Sequence, residues 1–290
     1  MKKLRGDQSE TLFELGTGRE PDSVIGHYHQ NWPVNPPLPR ARGATVGLLQ
    51  YAPQLRSADG NVGFISAHLA GVRDATIVLP EFFLGSYTQF ERDVMDRTAL
   101  AGLLHPLQLL SRSNRVNLIG SLPVRKADHA ANNVVIIQNG TTRFSVQDKS
   151  HLFGKEEGNF APGGYRGMTL VDGLSVSIQI CMDIVDPLPV RHAVASGARV
   201  VAGPSTVSVD FLRTIHKARA LENQVVSVFC NRIGEDLDGI IYLGRSTLFF
   251  PDGSELAAPR REEQLLTATV DLDQVVGYLE KFGRSSAGPG

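Results

Sequence analysis

Cys181 closes the alternating part of LSVSIQICMDIVDPLPV (residues 174–190). Leu174, Val176, Ile178 and Ile180 share one parity and Ser175, Ser177, Gln179 and Cys181 the other. The pattern predicts a strand that ends at Cys181, with the thiol off the apolar face. A cysteine there suits nucleophilic attack, because a free thiol has a pKa of about 8.5 and sulfur is a strong nucleophile. Glu81 lies in IVLPEFFLGSY, directly after another predicted strand and before Phe82, Phe83 and Leu84. A carboxylate partly desolvated by such neighbours is suited to take a proton near neutral pH. Lys149, in FSVQDKSHLFG, falls just past a third strand, on the parity opposite to Phe144 and Val146. A fixed ammonium at that place can stabilise a developing oxyanion. Base, cation and nucleophile are the parts of acyl-transfer chemistry, and each stands at the end of a separate strand unit. Taken singly, each also fits an ordinary structural role.

The elements that must position these residues can be read along the chain. ATVGLLQ (44–50) is a strand, and SADGNVGFISAHLAGVRD a helix that Ser57 or Asp59 can cap. ATIVLP is a buried strand stopped by Pro80. RDVMDRTALAGLLHPLQLLSRS reads as a helix that Pro106 kinks or splits, and VNLIGSLPV as a strand. NNVVIIQNGTTRFSVQ is a hairpin turning at Asn139-Gly140. Residues 150–167 are a long loop, and MTLVDGLSVSIQI is a second hairpin. PLPVRHAVASGA is a helix with proline in its first turn. RVVAGP is a strand, DFLRTIHKARALEN a helix and VVSVFC a strand. IIYLGRSTLFFPDGSELA is a third hairpin, QLLTATVDL a last strand and DQVVGYLEKFG a closing helix. Strands alternating with helices, with hairpins mixed in, predict an α/β fold with mixed sheets and helices outside.

The chain of 290 residues, with a formal net charge of −1 and 42% apolar residues, has an ordinary globular balance. That balance points to no nucleic-acid partner and no acidic membrane surface. No run reaches the length of a membrane span, and MKKLRGDQSE is not followed by an apolar signal segment. The two cysteines, Cys181 and Cys230, form no disulfide framework, which suggests a reducing, cytoplasmic setting. Cys230, inside an apolar strand, is read as a small core hydrophobe. Residues 1–43 form a separate extended arm, in which NWPVNPPLPRARG holds four prolines. The only tryptophan, Trp32, lies in this arm and is expected to dock on the body or on a second subunit. His27 and His29 are an H-x-H pair without further ligands, so no metal site is expected. The main domain is expected to span 44–283, with a flexible tail at 284–290.

Six segments in order then resemble the nitrilase, or carbon–nitrogen hydrolase, superfamily. VGLLQYAP, with Asn61 beyond it, is similar to its first strand, and VLPEFFLGSY to its glutamate motif. DKSHLF followed by EEGNFAPG is similar to the lysine motif, and IQICMDI to the cysteine motif. KARALENQVVSVFCNRIG and GRSTLFFPDGSELA are similar to a later helix–strand segment and hairpin. The resemblance spans about residues 44–275. It implies a four-layer α-β-β-α sandwich that forms a homodimer or higher homo-oligomer. It also implies a Glu-Lys-Cys triad, with Glu81 as general base, Lys149 as oxyanion-stabilising cation and Cys181 as nucleophile. Glu156 best matches a second glutamate that positions substrate and lysine, with Glu157 as the adjacent alternative, and the Met182 backbone N–H matches a second oxyanion donor. His151 is expected to be a structural hydrogen-bonding histidine. The implied activity is hydrolysis of a non-peptide carbon–nitrogen bond in a small amide-type molecule, without metal or organic cofactor. Nitrile hydrolysis, acyl transfer and an inactive binding role are the alternatives. After Asp183 the chain departs from the family pattern: Val185 stands at an arginine-like position and Leu188 at a glutamate position.

Overall fold

The structure is a computed structural model, which describes residues 43–144, 146–165 and 167–272. The N-terminal arm with Trp32, His27 and His29, the closing helix beyond Leu272 and the tail lie outside the described residues. The first half of the chain supplies β1 (Ala44–Gln50), β2 (Ala75–Glu81), β3 (Val116–Arg125), β4 (Ala130–Gln138) and β5 (Thr141–Arg143). Helix α1 (Ala58–Leu69) joins β1 to β2, and α2 (Arg97–Leu103) and α3 (His105–Asn114) precede β3. The second half supplies β6 (Met168–Val171), β7 (Leu174–Ile178), α4 (Pro187–Ala195), β8 (Val200–Pro204), α5 (Phe211–Asn223) and β9 (Val226–Cys230). β10 (Ile233–Glu235), β11 (Ile241–Leu243), β12 (Thr247–Phe249), β13 (Glu255–Ala257) and β14 (Gln264–Val270) follow.

These strands build two six-stranded sheets, ordered β14-β1-β2-β3-β4-β5 and β13-β12-β9-β8-β7-β6. Both are mixed: β1 pairs parallel with β2 and antiparallel with β14, and β8 runs parallel to both its neighbours while β6 and β12 run antiparallel to theirs. Strands β1 to β4 of the first sheet send alternate side chains to two apolar layers. Leu48, Val78, Ile119, Val134 and Ile136 meet Val176, Ile178 and Val201 of the second sheet. Ile77, Leu79, Leu118, Val135 and Ile137 pack instead against Ile65 and Leu69 of α1, Leu100 of α2 and Leu107 of α3. On the far side of the second sheet Val190 of α4 and Leu212 and Ala220 of α5 join the core. The result is the α-β-β-α sandwich that the resemblance implies. At about 1.5–3 kcal/mol for each fully buried Val, Leu or Ile, these layers are the main source of stability.

Local chemistry explains the joints. Ser57 caps α1 by accepting from the Gly60 N–H, so the serine, not Asp59, is the cap. The predicted helix with Pro106 is split rather than kinked: α2 ends at Leu103, and α3 restarts with Pro106 in its first turn. The hairpin at Asn139-Gly140 forms with φ of +51° and +79°, which asparagine and glycine tolerate. Two expectations need correcting. Pro80 does not stop β2; it lies inside the strand, at a register shift between Val78 and Glu81, where its missing N–H is harmless. The third hairpin is only β12–β13, because IIYL pairs instead with β10 in a separate two-stranded ribbon.

Candidate active site

Glu81 is the last residue of β2 and is fully buried. The bulge at Pro80 ends the regular pairing, and Phe82 follows at φ +50°, a conformation unusual for a bulky residue. The turn is held from the second sheet. Arg232, just after β9 and fully buried, donates to the carbonyls of Glu81, Phe82 at 3.1 Å and Gly85 at 3.0 Å. Thr206, after β8, donates its hydroxyl to the Glu81 carbonyl at 3.2 Å. Asn61 of α1 donates to Leu84 O at 2.9 Å and ties the same loop to the first sheet's helix layer.

Lys149 lies on a segment that runs back along β4. Its N–H donates to Asn132 O at 2.8 Å, and the Val134 N–H to Gln147 O at 2.8 Å. The parity expected for this stretch is broken: Phe144 packs in the outer layer and Val146 against the inter-sheet core, because β5 ends at Arg143. The Lys149 side chain is buried, with Nζ 2.8 Å from Glu81 Oε1 and 2.5 Å from Glu156 Oε2. Glu156 stands on a single 3-10 turn, Gly154–Glu156, inside the predicted loop, and its Oε2 also accepts the Phe153 N–H at 3.0 Å. Burial opposes the Lys149 charge, but the Glu81 and Glu156 carboxylates outweigh it and hold the ammonium well above its ordinary range. Burial, then the neighbouring Glu81 charge, push Glu156 up to about 7.

Cys181 is 4% exposed, three residues beyond β7, which ends at Ile178 and not at the cysteine as the alternation suggests. The chain leaves the sheet, and Cys181 takes φ +50° at the head of a 3-10 turn, Cys181–Val185. Nor does the polar parity mark an open face: Ser177 and Gln179 are buried too, and Cys181 sits in the inter-sheet cluster with Ile180 and Ile184. Burial, then Glu81, raise the thiol pKa, so the resting group is a protonated thiol that needs a base before it can attack. Its Sγ lies 3.9 Å from Thr206 O. Met182 is the second residue of the 3-10 turn, next after Cys181 in the chain. Asp183 accepts the backbone N–H groups of Ser150 at 3.0 Å and His151 at 2.7 Å, and the His151 ring at 3.2 Å. The cysteine turn therefore anchors the lysine loop, with His151 in the structural place expected. Glu157, adjacent to Glu156, is exposed and outside this cluster.

Glu81, Lys149, Glu156 and Cys181, drawn from both sheets and a loop, thus form one electrostatic cluster. Sequence reading missed Asn132, which donates to Glu81 Oε1 at 2.8 Å and Glu156 Oε1 at 2.7 Å. Its signal was the pair Asn132-Asn133 inside an apolar strand. Arg232 was missed as well, and only its place after the β9 strand hinted at burial. Val185 and Leu188 are 40% and 56% exposed, at the end of the cysteine turn and the start of α4. Cys230 is buried with Sγ 3.5 Å from Leu49 O, as a core residue. Among the described residues no group of His, Cys, Asp and Glu is placed to hold a metal ion, and no helix is long and apolar enough to cross a membrane.

The carbon–nitrogen hydrolase family profile matches residues 45–278. An (R)-stereoselective amidase of Pseudomonas sp is 28% identical over 236 residues, covering 77% of this chain and 84% of that protein. The 2-oxoglutaramate amidase of Bacillus subtilis is 28% identical over 204 residues, 68% of this chain and 78% of that protein. In fold, the chain is similar to a CN-hydrolase superfamily protein of Xanthomonas campestris crystallised with an arsenic adduct in its active site. That likeness has a TM-score of 0.74 at 20% identity and covers 86% of this chain and 98% of the other. With the profile spanning most of the chain and the sandwich fold shared, the protein belongs to the carbon–nitrogen hydrolase family and is an enzyme of that class.

Proposed function

We propose that the protein hydrolyses a small amide or N-carbamoyl compound through a thioester on Cys181, releasing ammonia or an amine. Glu81 takes the thiol proton, and the sulfur electron pair attacks the carbonyl carbon. The Lys149 ammonium and the Met182 N–H stabilise the oxyanion, where one such donor is worth about 10²–10³ in rate. Glu81 returns the proton to the nitrogen as the carbon–nitrogen bond breaks. A water molecule then gives its proton to Glu81 and its hydroxyl to the thioester carbon. Collapse of that second intermediate expels the sulfur, which regains the proton, and frees the acid. Glu156 keeps Lys149 in place throughout.

The observation that carries this reading is the buried ammonium of Lys149, 2.8 Å from Glu81 and 2.5 Å from Glu156, with the Glu81 and Lys149 charges both acting on the buried Cys181 thiol. A purely structural core would be served as well by apolar residues of the same volume. The names of the Pseudomonas and Bacillus relatives, both amidases, support the amide class. The test is intact-mass analysis after mixing with amides, N-carbamoyl compounds and nitriles, together with ammonia detection. An acyl-sized adduct on Cys181 that forms and then decays is expected, and Cys181→Ala should show neither adduct nor turnover. Turnover by Cys181→Ala would overturn the mechanism. Cys181→Ser should be nearly inactive, since a hydroxyl is far harder to deprotonate than a thiol.

A further inference from the structure

The side-chain amide of Asn132 carries two hydrogens. Its Nδ2 lies 2.8 Å from Glu81 Oε1 and 2.7 Å from Glu156 Oε1, so each hydrogen meets one carboxylate. The reversed amide would set an oxygen against two groups that accept, so the donor end must face them. Asn132 is fully buried, and its Oδ1 has no hydrogen-bond partner among the described residues. Leaving a buried acceptor unpaired costs about 1–3 kcal/mol. That unpaired oxygen belongs to the same side chain that spans two carboxylates.

The consequence lies at Glu81, whose two oxygens become unlike. Oε1 accepts from both Lys149 Nζ and Asn132 Nδ2. Oε2 is buried and has no partner among the described residues. Glu156 differs: its Oε1 accepts from Asn132, and its Oε2 from Lys149 and from the Phe153 N–H. Of the four carboxylate oxygens only Glu81 Oε2 is uncommitted, and Glu81 is also the charged group acting most strongly on the Cys181 thiol.

We propose that Asn132 is a positioning residue for the reaction. It ties the Glu81 and Glu156 carboxylates into one frame around Lys149, and it reserves Oε2 of Glu81 for the proton leaving Cys181. The inference rests on the thioester reading above. In the step concerned the S–H bond breaks, an O–H bond forms at Oε2, and the electron pair stays on sulfur to attack the carbonyl carbon. Without Asn132 the Glu81 carboxylate is held through Oε1 by Lys149 alone and can turn about that contact. Misplacement of a reacting group by about 1 Å can cost 10²-fold in rate.

The test uses Asn132→Leu, of similar size and without donors, and Asn132→Ser, which keeps one hydroxyl donor. Two rates are read: alkylation of Cys181 by iodoacetamide at pH 7, and kcat and KM for an amide that the wild-type enzyme turns over. For Asn132→Leu, kcat and alkylation should both fall about 10²-fold while KM stays within about threefold, with Asn132→Ser in between. A merely structural role would lower the melting temperature and leave alkylation untouched. An Asn132→Leu protein that melts cooperatively and reacts at the wild-type rate would overturn the proposal. If Asn132→Leu does not melt cooperatively, Asn132→Ser decides: about tenfold slower alkylation supports the assignment, and an unchanged rate overturns it. Failure of the underlying reading looks different, for then wild-type Cys181 itself would alkylate no faster than Cys230 and would carry no acyl adduct.

Discussion

A lone ammonium moved from water into a protein interior loses several kcal/mol of hydration, and only close partners restore it. Lys149 has two, Glu81 and Glu156, and neither the lysine nor either carboxylate side chain touches solvent. The partners win, since the lysine pKa is raised in spite of burial. A raised lysine contributes stability fully below its ordinary pKa of 10.5 and loses it as pH rises through the folded value, so this contribution is constant across neutral pH. Lys149→Met should therefore be inactive and also unstable by about 3–5 kcal/mol, because two carboxylates are left facing each other in the core. Denaturant titration at pH 7 measures it, and a Lys149→Met protein as stable as wild type would refute the account. Glu81 was legible as the end of a buried strand, whereas Cys181 and Lys149, expected at strand ends, stand three residues past β7 and six past β5. Glu156 was legible only through resemblance, since a glutamate in a loop of little periodicity carries no pattern of its own. Asn132 was not legible, because an asparagine within a strand says nothing of which carboxylates it meets until the lysine segment folds back along β4.

At the level of elements, α5 and the β8–β9 pair show what a helix needs to lie close to a sheet. Gly203 of β8 admits the His216 ring, and a Cβ there would stand 2.2 Å from His216 Cε1. The ring is fully buried; its Nδ1 lies 2.8 Å from Ser227 Oγ, and its Nε2 has no partner among the described residues. Burial, and then the Arg219 charge, lower its pKa from 6.5 to about 3. The unfolded chain therefore binds a proton between these values that the folded chain refuses. Stability is complete above 6.5 and is lost as pH falls toward 3. Between pH 7.5 and 4.5 the loss from this one group should be about 2–3 kcal/mol. His216→Leu should flatten that part of the curve, and an unchanged acid slope in urea titrations would count against it. Strand and helix types in this region followed from periodicity. The end of β7 did not, because both faces of that strand are buried and alternation of serine with valine carries no sign of where the chain turns away.

Across the whole molecule the candidate site is a seam. Glu81 ends β2 of the first sheet, Cys181 heads the turn that follows β7 of the second, and Lys149 and Glu156 lie in the loop segment between β5 and β6. Mixed sheets with helices outside were legible in the mixture of hairpins with strand–helix alternation, whereas the four layers were implied only by the family resemblance. The pairing of particular strand ends across the two sheets was not, since it depends on packing between residues far apart in sequence. Arg232 is where that packing becomes specific. It extends from the second sheet and donates to the carbonyls of Glu81, Phe82 and Gly85 beyond the first sheet, with its guanidinium 5.3 Å from the Tyr242 ring. Arg232→Met keeps most of the volume and removes every donor. Glu81 O keeps the Thr206 hydroxyl and Phe82 O the Gly85 N–H, so Gly85 O is the carbonyl left unpaired, at a cost of about 1–3 kcal/mol, and the melting temperature should fall. Freed from the clamp, the Glu81 turn at Phe82 should also relax its strained conformation and draw the carboxylate away from the thiol. The expected signature is joint: a lower melting temperature, and a kcat that falls at temperatures where the variant is still fully folded, with KM little changed. Loss of stability with a wild-type kcat below the melt would show that Arg232 joins the sheets without setting the base.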